Sequence, residues 1–256
     1  VLTDTKEIRP LRPWPSQQIL FDTLAKMEDE GKTKYKIVLL KSRQIGGTAG
    51  SEALIAHMTF LNPLTQSIIA SDHPDNSGKL WQTLMRMYEH MPGWMRPHRA
   101  AQVKATHLHL DQIVSDVVVG SGNQKTTLGQ GMNVDAIHLT EVSTWEHPEY
   151  IDLDILPAFD SSKKHHTFMI LESTAAGAMG NWFHDKYEGA LNGTSEFFPL
   201  FIAWYMRPGW RRDSTGLTLT ESTLAMAERV RREMGVTLDK DQMAFYQIKR
   251  RELESE

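Results

Sequence analysis

Short apolar runs rich in β-branched residues alternate along this chain with longer stretches whose apolar positions recur at helical spacing. The runs are KIVLL (36–40), QSIIAS (66–71), IVSDVVVG (113–120), VDAIHLT (134–140), HHTFMILES (165–173) and EFFPLFIAWY (196–205). Helical patterns at 47–61, 76–91 and 179–191 separate most of them. Strands alternating with helices predict an α/β fold, a mainly parallel sheet with helices on both faces. The stretch 102–120, two runs around a polar break, predicts a hairpin at the sheet edge. After RPGWRRDSTG (207–216) the strand-like runs stop and charged helical sequence follows. The expected organisation is therefore a core over 1–206 and a small helical subdomain over 207–256.

The first strand runs into Lys41-Ser42-Arg43-Gln44-Ile45-Gly46-Gly47-Thr48 and then a helix. In an open parallel sheet, ligands bind at the carboxyl ends of strands, and a loop leading into a helix offers free N–H groups to phosphate. Gly46 and Gly47 let backbone amides close around a phosphate, and the Thr48 hydroxyl is placed to ligate Mg²⁺. A phosphate loop ordinarily carries lysine directly before that hydroxyl, but here Gly47 stands there. Lys41, able to fold back from the strand end, and Arg43 are the two candidates for the missing charge. The bland alternative is a glycine-bearing turn with exposed basic residues.

Downstream, VDAIHLTEVSTW ends a strand in Thr140-Glu141, and FMILESTAAG ends another in Glu172-Ser173-Thr174-Ala175. A carboxylate at a strand end can orient and deprotonate an attacking water; it can equally be an acidic first-turn residue of the next helix. Hydroxyls at the tip can sense a γ-phosphate or cap the helix that follows.

Composition narrows the classes. At 256 residues and 40% hydrophobic the chain can bury a sizeable core. No apolar run approaches the length of a membrane span, and the absence of cysteine excludes disulfides and thiolate zinc sites. A net charge of −4 restricts any nucleic-acid contact to a local patch. The start at Val1 and the charged, helix-like end KRRELESE read as a fragment of something longer.

With these motifs in order, the chain closely resembles the ATPase domain of the large terminase subunit of tailed bacteriophages, a P-loop NTPase that packages DNA. The glutamine segment is RPWPSQQILFDTL, with Gln17 the better-phased adenine contact and Gln18 next. KSRQIGGT resembles a deviant Walker A loop with lysine at its start, HLTEVSTW the Walker B end, and ESTAAGAMGNWFHDKY the coupling motif. PLFIAWYMRPGWRR resembles the passage into the family's lid subdomain. The resemblance implies ATP as substrate and Mg²⁺ as cofactor. Glu141 is then the catalytic carboxylate with Arg43 beside it, residues 41–48 bind ATP, and Ser173, Thr174 and Ala175 couple hydrolysis to movement. It further implies double-stranded DNA, the portal protein and the small terminase subunit as partners. It implies a homo-oligomeric ring on assembly, a monomer in isolation, and a place in the host cytoplasm docked on the procapsid portal.

Two departures stand out. Walker B usually ends Asp-Glu, the aspartate holding a Mg²⁺-bound water, and Thr140 brings no charge to that place, which predicts weaker Mg²⁺ binding. Relatives often carry an arginine finger ahead of Walker B, where LGQGMNVD has Gln130; Arg96 and Arg99 are then the remaining guesses. The family's nuclease domain would follow this chain, so no DNA cleavage is expected of it. Two rivals fit part of the pattern: a helicase-like core, which needs a second similar domain, and a nucleotide-binding assembly module with little hydrolysis.

Other features read as structural. His107 and His109 share one face of a strand without an evident third ligand, and His165 and His166 point to opposite faces if extended. The clusters Arg211-Arg212, Arg229/Arg231/Arg232 and Lys249/Arg250/Arg251 read as solvated helix faces. Trp81, Trp94, Trp145, Trp182, Trp204 and Trp210 read as core or interface.

Overall fold

The computed structural model describes residues 10–100, 106–123, 128–162, 166–175 and 180–254. Its strands are β1 (Lys34–Lys41), β2 (Gln66–Ser71), β3 (His107–Leu110), β4 (Ser115–Ser121), β5 (Ala136–Leu139), β6 (Thr167–Ser173) and β7 (Phe198–Ile202). The helices are α1 (Pro15–Asp29), α2 (Gly47–Leu61), α3 (Pro74–Glu89), α4 (Leu156–Asp160), α5 (Trp182–Leu191), α6 (Glu221–Met234) and α7 (Lys240–Glu254). The strands form one sheet in the order β3-β4-β2-β5-β6-β1-β7. Every pairing is parallel except β3 with β4, the expected edge hairpin.

The central strands are apolar on both faces because helices cover both. On one face Val38, Ile68, Ala70, Ile137, Leu139, Met169 and Leu171 pack with Trp145, Ile151, Ile155, Phe159 and Phe183. Alternation turns Leu39, Ile69, His138, Ile170 and Glu172 to the opposite face, where α2 lies against β2, β5 and β6. That face therefore carries buried titratable groups, among them Lys41, His138 and Glu172. The strand order also sets β6 between β1 and β5, so the turns after these three strands meet at one edge.

The chain divides into two compact units, Val1–Ile202 and Ala203–Glu256, where the sequence pattern placed the change at 206. The run 196–205 is a strand only to Ile202, and Trp204–Met206 turns as a short 3₁₀ segment. The aromatic content of that turn belongs to the smaller unit, where Trp204 stacks on Phe245 and Tyr246 and Trp210 stacks on Phe245. Thr220 caps α6 through its side chain, and Gly235 ends it in the left-handed conformation. Among the described residues no helix is long and apolar enough to cross a membrane.

Helix α2 buries Ile55, Thr59, Phe60 and also Glu52. Burial, and then the Glu172 carboxylate, push the Glu52 carboxyl well above the ordinary carboxylate range, against a pull from Arg86. The folded state then keeps a proton that the unfolded chain releases above pH 4.5, so this group's contribution to stability falls as pH rises from there. Glu52→Gln removes the titration. Its melting temperature should exceed that of the wild type at pH 7, with the gap closing toward pH 4.5. An equal gap at both pH values would show that Glu52 is ionised in the fold.

Candidate functional site

From Lys41 the chain turns through Ser42–Gly46 into α2, with positive φ at Gln44 (53°) and Gly46 (82°). A Cβ at Gly46 would lie 3.0 Å from Gln17 Nε2 and 3.3 Å from the Trp14 ring, so glycine meets both the conformation and the close approach. Helix α1 holds the loop from behind. Ser16 Oγ donates to the Ile45 carbonyl (2.8 Å) and Gln17 Nε2 to the Gly46 carbonyl (2.9 Å), while Gln17 Oε1 accepts from Trp14 N–H (2.9 Å). Ile45 is buried and Ser42 N–H donates to the Ile202 carbonyl. Gln17 thus spends both ends of its amide on the loop region. Gln18 is exposed and donates to Asp22 along its own helix, so it does not join the loop.

Lys41 is buried, and its ammonium lies 3.4 Å from Glu141 Oε1 and 3.9 Å from Glu172 Oε1. Its stem passes beside Gly47: a Cβ there would stand 2.9 Å from Lys41 Cδ and 3.4 Å from Glu172 Oε2. The space a side chain at 47 would need is therefore already filled by the lysine from the strand. Burial works against the Lys41 charge, but Glu172 and then Glu141 outweigh it and hold the ammonium above the usual lysine range. Arg43 and Gln44 are exposed on the outer rim of the loop.

Glu172 joins three elements and was absent from the predicted site. Its Oε1 accepts from Thr48 Oγ1 (2.6 Å) and Thr140 Oγ1 (2.7 Å). His138 Nε2 lies 3.3 Å from the same oxygen, misaligned for a hydrogen bond, and Oε2 has no hydrogen-bond partner. Full burial alone would raise this carboxyl. Lys41, His138 and the Thr48 hydroxyl overcome that and hold it at about 2. A glutamate in the middle of ILEST, next to the Ser-Thr-Ala tip, was the available signal.

Lys41, Thr48 and Thr140, the partners of Glu172, open onto a cleft of roughly 500 Å³. Lys41, Arg43, Gln44 and Thr48 line one side, Thr140, Glu141, Thr144 and Thr174 another. Asp72 from the β2–α3 connection and Asn76 and Lys79 from the first turns of α3 also line it, a contribution the sequence did not reveal. Asp72 is held ionised below the ordinary range: burial opposes this, but hydrogen bonds from Asn76, Ser71, Thr144 and the His73 backbone prevail. No side chain caps the start of α2, which leaves its first N–H groups to the cleft.

Glu141 itself has φ 54°, a left-handed conformation uncommon outside glycine. The turn after it is fastened at both ends: Thr144 Oγ1 donates to the Glu141 carbonyl, and Trp145 Nε1 to that of Thr140. Ser143 then ties this turn to the tip of β6, its N–H and hydroxyl reaching Ser173 Oγ at 3.1 and 2.6 Å and its hydroxyl reaching the Thr174 carbonyl. Of the three predicted coupling residues, Ser173 is engaged in this tie, Thr174 lines the cleft and Ala175 is exposed.

Other predicted residues lie away from the cleft. Arg96 and Arg99 pack over the Tyr88 ring, and Gln130 bonds Asp154. The third group beside His107 and His109, unseen in sequence, is Asp116 on the paired strand, whose Oδ1 lies 2.7 and 2.9 Å from the two rings. Among the described residues no group of three His, Cys, Asp or Glu side chains is arranged to hold a metal. His165 lies outside the described residues. Arg229 and Arg231 pair with glutamates on the exposed face of α6, and Lys249 with Glu252 on α7. Trp145 is core, whereas Trp94 is 85% exposed.

No family model matches the chain, and no curated protein matches it. Solved structures do. The large terminase of bacteriophage HK97 superposes with a TM-score of 0.63 at 16% identity, over 95% of this chain and 48% of that one. The large terminase of a thermophilic bacteriophage, also solved with ADP and with ATP-gamma-S, gives 0.55 at 14% identity over 86% of this chain and 50% of that one. The ATPase domain of the Thermus phage P74-26 large terminase gives 0.51 at 16% identity, over 86% of this chain and 93% of that domain. The chain spans about half the length of the first two. At these identities the likeness is one of fold: this chain shares the architecture of the phage large-terminase ATPase domains.

Proposed function

We infer that this chain is an ATP-hydrolysing motor domain of the large-terminase type, driving double-stranded DNA into a procapsid. The observation that carries the reading is the Lys41 side chain lying in the space beside Gly47, with Glu141 across the same cleft. The cation that a phosphate loop needs is present, delivered from the strand instead of the helix. The shared fold and the nucleotide complexes of the thermophilic phage's enzyme support the same reading.

In this mechanism the first N–H groups of α2 and the Lys41 ammonium bind the phosphates, with Arg43 assisting from the rim. A triphosphate competes with Glu141 for Lys41, so binding releases the Glu141 carboxylate to orient and deprotonate the attacking water. The hydroxyl oxygens of Thr48 and Thr140 are hard donors of the kind Mg²⁺ takes, and the buried Glu172 carboxylate behind them suits a cation nearby. Thr48 would hold the ion, with Thr140 behind it; when bound, Mg²⁺ neutralises charge on the β- and γ-phosphate oxygens. Ser143 and Ser173 join the Glu141 turn to the β6 tip, a direct path from the γ-phosphate region to the strand's outgoing chain. Residues 207–256 act as the lid. The portal, the small terminase subunit and neighbouring copies in a ring are the partners, and the host cytoplasm is the setting.

Lys41→Ala should lower ATP affinity about 10- to 100-fold, the loss of a charged hydrogen-bonding group. Gly47→Lys in that background should recover part of it, because the truncated residue vacates the space. Unchanged affinity in Lys41→Ala, measured by calorimetry, would reassign the phosphate cation.

Glu141→Gln should keep ATP binding and reduce turnover by about 10²- to 10⁴-fold. Turnover at the wild-type rate would remove Glu141 from the chemistry, and no wild-type turnover under any assembly condition would leave only a binding module.

Among the described residues Arg43 is the one arginine lining the cleft, so a neighbour must supply a finger. The isolated chain should be monomeric and slow, and its specific activity should climb across a dilution series as concentration rises. A monomer with high, concentration-independent activity would show that the site is complete in one chain.

A further inference from the structure

P-loop enzymes hold Mg²⁺ between the loop hydroxyl and an acidic group at a neighbouring strand end. Directly after β5 that position is Thr140, which is uncharged. The parallel register pairs Leu139 with Leu171, so the next residue on each strand, Thr140 and Glu172, also stand side by side. We propose that Glu172 takes over the missing aspartate's task from the adjacent strand, orienting the Thr48 and Thr140 hydroxyls as ligands toward the nucleotide's magnesium ion. The assignment rests on the ATPase reading above and deepens it.

Hydrogen-bond direction is what carries it. A hydroxyl has one proton to donate and two lone pairs to offer. Thr48 and Thr140 both give their proton to the same oxygen, Glu172 Oε1, at 2.6 and 2.7 Å. Their lone pairs are thereby left for the cleft, which both residues line. A carboxylate shared this way polarises both hydroxyls, so Thr140 conveys charge that it does not itself carry. A glutamate reaches this point because its side chain is one methylene longer than aspartate, an extension directed across the strand spacing.

The second oxygen points the same way. Glu172 Oε2 is buried without a hydrogen-bond partner, 3.4 Å from where a Cβ at Gly47, the start of the loop helix, would stand. A carboxylate oxygen left unsatisfied inside a fold calls for an explanation, and the charge of a cation held in front of it by the two threonines supplies one. A purely structural role, as counter-ion to Lys41, accounts for less. Lys41 stands closer to Glu141 (3.4 Å) than to Glu172 (3.9 Å), and a counter-ion needs neither threonine.

Glu172 is fully buried and touches neither nucleotide nor metal directly, so it is a positioning residue. Its test reads metal dependence rather than turnover. The affinity of a fluorescent ATP analogue is measured for the whole chain with Mg²⁺ and with EDTA, and the ratio of the two is compared between variants. In Glu172→Gln the gain from Mg²⁺ should shrink by about 10- to 100-fold; the ratio cancels any change common to both conditions, such as the loss of a counter-ion to Lys41. Adding Thr140→Asp to that variant should restore the gain, since it returns a carboxylate to β5. Thr140→Asp alone keeps Glu172 and should leave the Mg²⁺ requirement unimproved, because the position is already served; this arm decides the matter even if Glu172→Gln does not fold. A Glu172→Gln protein with the wild-type ratio, or a Thr140→Asp protein needing tenfold less Mg²⁺, overturns the assignment and leaves the ATPase reading standing. A wild-type chain that binds the analogue under neither condition overturns both.

Discussion

The cleft is organised around a buried ammonium between two carboxylates. Lys41 can be charged in the interior only because Glu172 lies beneath it and Glu141 beside it, and Glu172 depends on the lysine in return. Removing one partner of such a group leaves an uncompensated buried charge, a loss of about 3–5 kcal/mol. Glu172 shows the balance most clearly. With its carboxyl held near 2 against an ordinary value of 4.5, its ionisation favours the fold by ~3 kcal/mol at neutral pH. Because the folded value is depressed, that contribution is complete above pH 4.5 and lost as pH falls toward 2. The charge cluster that serves the site is thus also part of what holds three strand ends together.

Strand order makes the cluster possible. β6 lies between β1 and β5, so one residue near its end can reach both the phosphate loop and the turn after β5. The same adjacency lets Ser143 and Ser173 fasten the Glu141 turn to the β6 tip. Glu141 is held at φ 54°, a conformation that costs about 1–3 kcal/mol and persists where surrounding bonds enforce it. Here the enforcing bonds come from Thr144 and Trp145. A side chain poised in this way, paired with a lysine that a triphosphate would claim, suits a step in which binding and activation of the base are one event.

The deviant loop follows from packing. A lysine at position 47 and a lysine at position 41 compete for the same volume, as the 2.9 Å approach at Gly47 shows. Glycine at 47 and lysine at 41 are therefore one arrangement rather than two independent changes. The pairing of Thr140 with Glu172 has the same character, a charge displaced to the neighbouring strand.

Local pattern determined a good deal by itself. Periodicity set the alternation of strands and helices and the edge hairpin, because apolar spacing directly reflects which faces are buried. The loop Lys41–Thr48 and the strand end at Glu141 were legible because their chemistry is contiguous in the chain. Gln17 was legible as important, but its bonds to Gly46 and Trp14 are visible only in the packing. Asp72 and Asp116 escaped notice because Thr144, and His107 and His109, reach them from another turn and another strand. Glu172 was in plain view within ILEST, yet its meaning depends on a parallel register that sets it beside Thr140 and under Thr48. Pattern in one dimension reports burial and local turns; which charges share a cavity is decided by strand order, and strand order is a property of the whole sheet.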